Sequence, residues 1–225
     1  MNALKTTRTC LTVAIGIITS LTLSGQDKAV KYDLFSMSES NKLEAFNRKL
    51  TAFSEGDKKG VRFSKTPNDG IAWLTGVEFS NGSIELDIKG KDVFQQSFVG
   101  IAFHGADNKT FDAIYFRPFN FQSTDPVRKI HAVQYVSHPD YTWQLLREKQ
   151  SSKYEKAVVP APNGNEWFHV KITIKYPQVT VFVNGSSEPS LIIEQLSNRK
   201  SGKIGLFAGN NSDGDFANLQ ITFQD

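Results

Sequence analysis

The sequence is nearly without sulfur: Cys10 is its only cysteine, and 2 Met stand against 17 Phe in 225 residues. A lone thiol excludes a disulfide framework and a multi-thiolate metal centre. Cys10 falls within the first 25 residues, which have the character of a removable leader, so a cysteine nucleophile is excluded from the remainder too. A basic block is also missing. The 26 Lys and Arg are dispersed among 23 Asp and Glu for a net charge of +3, which leaves no electrostatic footprint for nucleic acid. No G-x-S-x-G occurs, and His104, His131, His138 and His169 form no H-E-x-x-H. The nucleophile elbow and the zinc-hydrolase helix are therefore absent as motifs. Internal repeats, low-complexity tracts and interdomain linkers are lacking as well.

What is present begins with a leader. Lys5 and Arg8 precede an apolar stretch at 11–23, about 13 residues and too short to span a bilayer, and Ser24 and Gly25 follow it. Charge, then apolar residues, then small ones, is the order of a secretory signal, so 1–25 are expected to direct export to the periplasm or medium. No membrane span is expected. Cys10 precedes the apolar stretch and so does not fit a lipoprotein anchor. Without Lys5 and Arg8, 24 basic residues face 23 acidic ones. Residues 26–225 are expected to form one domain, long enough to bury a core without disulfides.

Beyond the leader the hydrophobic pattern has period two, interrupted by Gly, Asn, Asp and Pro. Strands are expected at 49–54, 60–64, 70–74, 82–89, 97–104, 111–119, 132–137, 143–147, 167–176, 178–184, 191–195, 202–208 and 216–223. One helix is expected, within 38–50. Asn81-Gly82 and Asn184-Gly185 supply the positive φ of tight hairpins. Many short strands without helical crossovers predict an all-β fold, a two-sheet antiparallel jelly-roll β-sandwich. A Phe-rich, Met-poor composition suits cores between pleated sheets.

Several segments carry a resemblance: Asn81-Gly82-Ser83-Ile84-Glu85-Leu86-Asp87-Ile88, Phe98-Val99-Gly100-Ile101-Ala102-Phe103 and Trp167-Phe168-His169-Val170-Lys171-Ile172. Val179-Thr180-Val181-Phe182-Val183-Asn184-Gly185, Gly202-Lys203-Ile204-Gly205-Leu206 and Gly214-Asp215-Phe216-Ala217-Asn218-Leu219 continue it. From residue 81 onward the chain resembles the concanavalin A-like lectin and glucanase superfamily, which includes laminin-G-like modules. That resemblance implies the jelly roll and a carbohydrate ligand. Family-16 glycoside hydrolases carry E-x-D-x-x-E, and here Glu85 and Asp87 are followed by Gly90 in place of the second Glu. Retaining hydrolysis needs two carboxyl groups about 5 Å apart, so that assignment fails. The 3-keto-disaccharide hydrolase family is similar in its Gly-Ile, Trp and final Phe-x-Asn-Leu strands, but offers no specific catalytic residue to carry over.

Strand alternation sorts candidate site residues by face. With Val99, Ile101, Phe103, Ile114 and Phe116 in the core, the opposite face would hold His104, Tyr115 and Arg117 beside small residues. Rings that stack on sugar C–H faces, with cations that donate to hydroxyls, are what a sugar-binding sheet requires. The plainer alternative is a wet face on which Arg117 pairs with Glu85 or Asp87. In the polar-aromatic stretch 131–143, Gln134, Tyr135, His138, Tyr141 and Trp143 are expected to border the same groove, unless they simply pack on the sheet. His104, Arg117 and His138 are the candidates for catalysis, imidazole being the group that titrates near neutrality. No cofactor is expected except a structural calcium, for which Asn210, Asp213 and Asp215 offer oxygens; a solvated turn is the alternative there. Three functions follow: a carbohydrate-binding jelly roll serving glycan recognition or degradation, a glycoside-cleaving enzyme resembling 3-keto-disaccharide hydrolases, and a laminin-G-like adhesion module.

Overall fold

The computed structural model describes residues 28–224, so the expected leader lies outside the described residues. In chain order the strands are β1 (Lys28–Tyr32), β2 (Leu43–Phe46), β3 (Leu50–Glu55), β4 (Lys58–Thr66), β5 (Gly70–Phe79), β6 (Asn81–Lys89), β7 (Val99–Gly105) and β8 (Phe111–Phe116). They continue with β9 (Val133–His138), β10 (Glu155–Lys156), β11 (Trp167–Lys175), β12 (Gln178–Val183), β13 (Leu191–Glu194), β14 (Gly202–Ala208) and β15 (Ser212–Gln224). One sheet runs β13-β12-β11-β6-β15-β4-β3, with β1 also on β15; the other runs β10-β9-β8-β7-β14-β5-β2. The all-β, two-sheet antiparallel architecture expected from the period-two pattern is what the chain adopts.

Side-chain alternation explains how the layers close. In the eight-stranded sheet Ile84 lies opposite Ile172 and Leu86 opposite Val170, all fully buried, while Glu85 and Asp87 of β6 turn outward with His169 and Lys171 of β11. In the seven-stranded sheet Ile101 pairs with Ile114, and Val99 with Phe116. The inner faces meet where Phe116 packs edge-on against Phe168, 5.3 Å between centroids. Every residue of β7 and β8 is buried, on both faces. A second layer thus covers the outer side of this sheet, and the site is built there.

Helices depart from expectation. α1 spans Leu34–Glu39 and begins at Asp33, whose carboxylate accepts from Ser36 N at 3.2 Å. Asn41 at φ 54 follows it, and Leu43–Phe46, expected to be helical, instead pairs with β5. Pro126–Lys129 forms a single turn, α2, capped by Asp125. Residues 143–147, expected as a strand, belong to the helix α3 (Trp143–Lys149). Thr142 caps it by accepting from Leu145 N, and Leu146 alone is buried, a one-sided pattern that suits a helix. β8 stops at Phe116, short of the expected 119, because Pro118 opens a 3-10 turn (Pro118–Asn120).

Candidate functional site

A cleft of about 430 Å³ opens on the outer face of the seven-stranded sheet, within the usual range for a small-molecule site. Its floor is Tyr115 and Arg117 after the pleat of β8, Val136 and His138 of β9, and Phe207 of β14. Glycines make the room: a Cβ on Gly100 would fall 2.6 Å from Tyr115 Cα, and one on Gly209 would press on Phe98. Walls come from the segment 90–98, from 117–131 and from α3, which bring Phe94, Arg128, Trp143 and Arg147.

The floor is a fixed polar lattice. Arg117 Nη2 donates to Tyr115 Oη at 2.8 Å and also to Gln134 Oε1, which accepts from Tyr115 Oη at 3.1 Å. Burial pushes the Tyr115 hydroxyl up to about 12, so it remains a donor across the biological range. Beside the lattice, on β10, the buried Glu155 accepts from Nε and Nη2 of Arg147 at 3.0 and 2.8 Å and lies 2.8 Å from His131 Nδ1 and 3.7 Å from Arg117. One carboxylate thus grips Arg147 through two charge-assisted bonds that give its guanidinium a defined direction, with His131 and Arg117 close by.

At the other end of the floor His138 Nε2 stands 4.0 Å from Asp69 Oδ2. Desolvation dominates both: it lowers the imidazole of His138, against the pull of Asp69, and raises the carboxyl of Asp69, against His138 and Arg48. Each is pushed toward its neutral form by burial, the kind of perturbation found at functional sites. The backbone holds Asp69 rigidly. Asn47 Nδ2 donates to Pro67 O and Asp69 O at 2.8 and 2.9 Å, and Arg48 Nη2 donates to Asn68 O, Ala208 O and Gly209 O at 2.8–2.9 Å. Asn210 Oδ1 accepts from Asn68 N at 2.8 Å.

Of the expected site residues, the cleft brings together Tyr115, Arg117, His138 and Trp143, with Asn210 at its edge. Gln134 lies under it. Tyr135 and His104 do not join it, which corrects the expected grouping. Tyr135 is opposite Ile114 and so points inward, where its hydroxyl donates to Asp112 at 2.7 Å. His104 has left the strand alternation through a φ of 48, next to a register shift in β14. Its Nε2 meets Ser80 O at 2.7 Å and its Nδ1 meets Gln195 Nε2 at 3.0 Å. Both belong to an internal node on Asp112, which also accepts from Ser197 Oγ at 2.6 Å and Arg199 Nη2 at 3.2 Å and ties the segment 195–199 to the sheet. Tyr141 turns back on Ser137 and packs half-buried against the core. Arg117 pairs with neither Glu85 nor Asp87, which lie on the other sheet. Asp213 is engaged by Lys91 and Asp215 by Arg62 through two 2.7 Å bonds. Among the described residues no group of three or more His, Cys, Asp or Glu side chains is placed to hold a metal ion. No helix among them is long and apolar enough to cross a membrane.

A family model described as the 3-keto-alpha-glucoside-1,2-lyase-like domain matches residues 36–222. The chain belongs to that family. The match runs from within α1 into β15 and so includes every residue of the cleft. A comparison with curated protein sequences finds no match. Among solved structures, the chain is similar to the carbohydrate-binding module CBM66 from Bacillus subtilis, with 13% identity, TM-score 0.58, and coverage of 80% of this chain and 95% of that one. A protein of unknown function with a galectin-like fold from Bacillus subtilis gives 10% identity, TM-score 0.59, and 88% and 96% coverage. Domain 4 of the extracellular arabinanase AbnA from Geobacillus stearothermophilus, in complex with arabinotriose, gives 14%, 0.53, and 88% and 94%. At such identities these likenesses describe the fold. Within the lyase-like domain, sequence reasoning missed Asp69, Arg147 and Glu155. Asn68-Asp69-Gly70 reads as an ordinary turn, and Arg147 and Glu155 belong to different elements, α3 and β10, so no single periodicity links them.

Proposed function

We propose that this protein eliminates the C1 substituent from a 3-keto glucoside bound in the cleft. The observation that carries the reading is the Asp69–His138 pair on the floor of a sugar-sized cleft, in a chain of the 3-keto-alpha-glucoside-1,2-lyase-like family. A carbonyl at C3 acidifies the hydrogen on C2, because the electron pair left behind delocalises onto O3 as an enolate. His138, kept neutral by burial, takes that proton. The enolate then collapses: the C1–C2 double bond forms, the bond from C1 to its oxygen breaks, and the departing oxygen is protonated by the Asp69–His138 pair or by solvent. Arg117 supplies the positive charge near which the O3 charge develops, and its bonds to Tyr115 and Gln134 hold it in place before the reaction.

The carbohydrate-binding module and the arabinotriose-bound domain among the structural neighbours support a sugar as the ligand. Export, expected from 1–25, belongs to the same reading. A 3-keto disaccharide incubated with the protein should give a C1=C2–C3=O chromophore absorbing in the ultraviolet, together with one free sugar, and His138→Ala should give neither. Calorimetric binding of that disaccharide without chromophore would overturn the lyase reading in favour of a binding module. Mass measurement of the exported chain should show a new N-terminus near residue 26.

A further inference from the structure

The chemistry at Asp69 and His138 accounts for one end of the cleft and leaves the other end without a task. Phe94, in the segment 90–98, is 55% exposed, and Trp143, at the start of α3, is 41% exposed. Each carries a guanidinium on its ring: Arg128 lies 4.5 Å from the centroid of Phe94, and Arg147 lies 5.0 Å from that of Trp143. Neither cation is loose. Arg128 donates to Phe119 O at 2.8 Å, and Arg147 grips the buried Glu155. Leaving a large ring in water is unfavourable, so two rings held at a cleft mouth by anchored cations require an explanation. From Phe94 the rings then run inward without a gap. Centroid distances are 5.6 Å from Phe94 to Phe119, 5.5 Å on to Phe98, 6.2 Å to Tyr115 and 5.7 Å to Phe207.

We infer that this aromatic wall is the aglycone subsite and that the preferred substrate is an aryl glycoside, a 3-keto glucoside whose C1 substituent is a phenol and not a second sugar. The inference rests on the proposed lyase reading for the sugar end of the cleft. The hydroxyls of a second sugar would meet few partners along the row of Phe94, Phe119 and Phe98, beside which Gln95, Asn120 and Arg128 are the polar lining. A guanidinium on one face of a ring draws π density toward itself. The opposite face then favours an electron-rich ring over the C–H donors of a sugar, which prefer a negative face. Leaving-group chemistry agrees. A phenol ionises near a pKa of about 10, so its C1–O bond breaks with little proton assistance, which suits a site offering one imidazole and one carboxyl. In the step, C2–H gives its proton to His138, the C1=C2 bond forms, and the C1–O electron pair leaves with the phenolate.

Calorimetry with unoxidised phenyl glucoside, methyl glucoside and a glucosyl disaccharide tests the wall apart from turnover, since none of the three has the keto group. Phenyl glucoside should bind at least tenfold more tightly than methyl glucoside. Phe94→Ala and Trp143→Ala should each cost about two- to tenfold of that preference, the range of one aromatic contact. Equal binding of all three, or variants that hold phenyl glucoside as wild type does, would overturn the inference. The 3-keto forms then separate the two claims. Elimination from a 3-keto disaccharide with no advantage for the 3-keto aryl glucoside would sink the aryl subsite and spare the lyase. Selective binding of phenyl glucoside with no elimination from any keto sugar would do the reverse.

Discussion

His138 and His169 each face a carboxylate from an outward side of the sandwich, Asp69 at 4.0 Å and Asp87 at 2.8 Å, yet their protons are held in opposite ways. In the cleft, desolvation outweighs attraction and pushes His138 down and Asp69 up. On the eight-stranded sheet, hydrogen bonds from His169, Lys58 and Asn218 overcome desolvation and hold Asp87 at about 2, while Asp87 raises His169. The same residue types are therefore pushed toward neutrality in one place and locked as an ion pair in the other. What differs is the company: three donors converge on Asp87, whereas Asp69 meets one imidazole at a distance beyond a hydrogen bond. Environment, and not residue identity, separates a pair suited to the proposed proton transfer from one suited to stability.

The largest expected effect tests that assignment directly. His138→Ala should lower elimination from a 3-keto glucoside by about 10²–10⁴-fold, the usual contribution of a general base. His169→Ala should stay within about twofold of wild type in the same initial-rate assay. Comparable losses in both variants would erase the distinction. Next in size is a carboxylate deeper than either. Asp112 is fully buried and accepts from Tyr135, Ser197 and Arg199. Asp112→Ala leaves a guanidinium and two hydroxyls without their acceptor and should cost about 3–5 kcal/mol in urea unfolding, with the cleft geometry affected only through loss of fold. An Asp112→Ala protein of wild-type stability would mean that the internal node is not structural.

Much of this arrangement could be read from the residues before the fold was known, and the failures have identifiable causes. Ile114, Tyr115, Phe116 and Arg117 alternate without interruption, so their faces followed from the pleat. The same rule applied to Gln134 and Tyr135 forbids both from reaching one groove, and the structure sends Tyr135 inward to Asp112. His104 escaped because alternation assumes extended backbone, and its φ of 48 rotates the side chain out of sequence. Trp143 was legible as a groove residue but not as a helical one, because the cap at Thr142 is a three-residue signal inside an aromatic stretch. Asp69 and Glu155 were not legible at all. Their roles depend on His138 and Arg147 arriving from other strands and helices, and a single sequence carries no record of those meetings.

Smaller again is the acid sensitivity of the locked pair. Asp87 has a folded value of about 2 against an ordinary 3.8, so its stabilisation is complete above pH 4 and lost as pH falls through 2. The difference corresponds to about 2 kcal/mol. Asp87→Asn should therefore unfold more easily than wild type at pH 7 by about that amount, and the gap between the two should close between pH 4 and pH 2. A gap independent of pH would show that Asp87 acts by shape and not by charge.

The smallest effect is the most discriminating, because it reads the coupling inside the cleft. If neutral His138 takes the C2 proton, kcat/KM should fall on the acid side, with the midpoint of the limb below the ordinary imidazole value because burial depresses it. Asp69 opposes that depression by its charge. Asp69→Asn removes the charge, so protonation of His138 becomes harder and the limb should move further toward acid. Replacing Asp87 in the same way should leave the limb where it is, since no contact links that carboxylate to His138. A limb that moves toward neutrality in Asp69→Asn, or does not move, would mean that the 4.0 Å pair is a neighbour in space without being a partner in the titration.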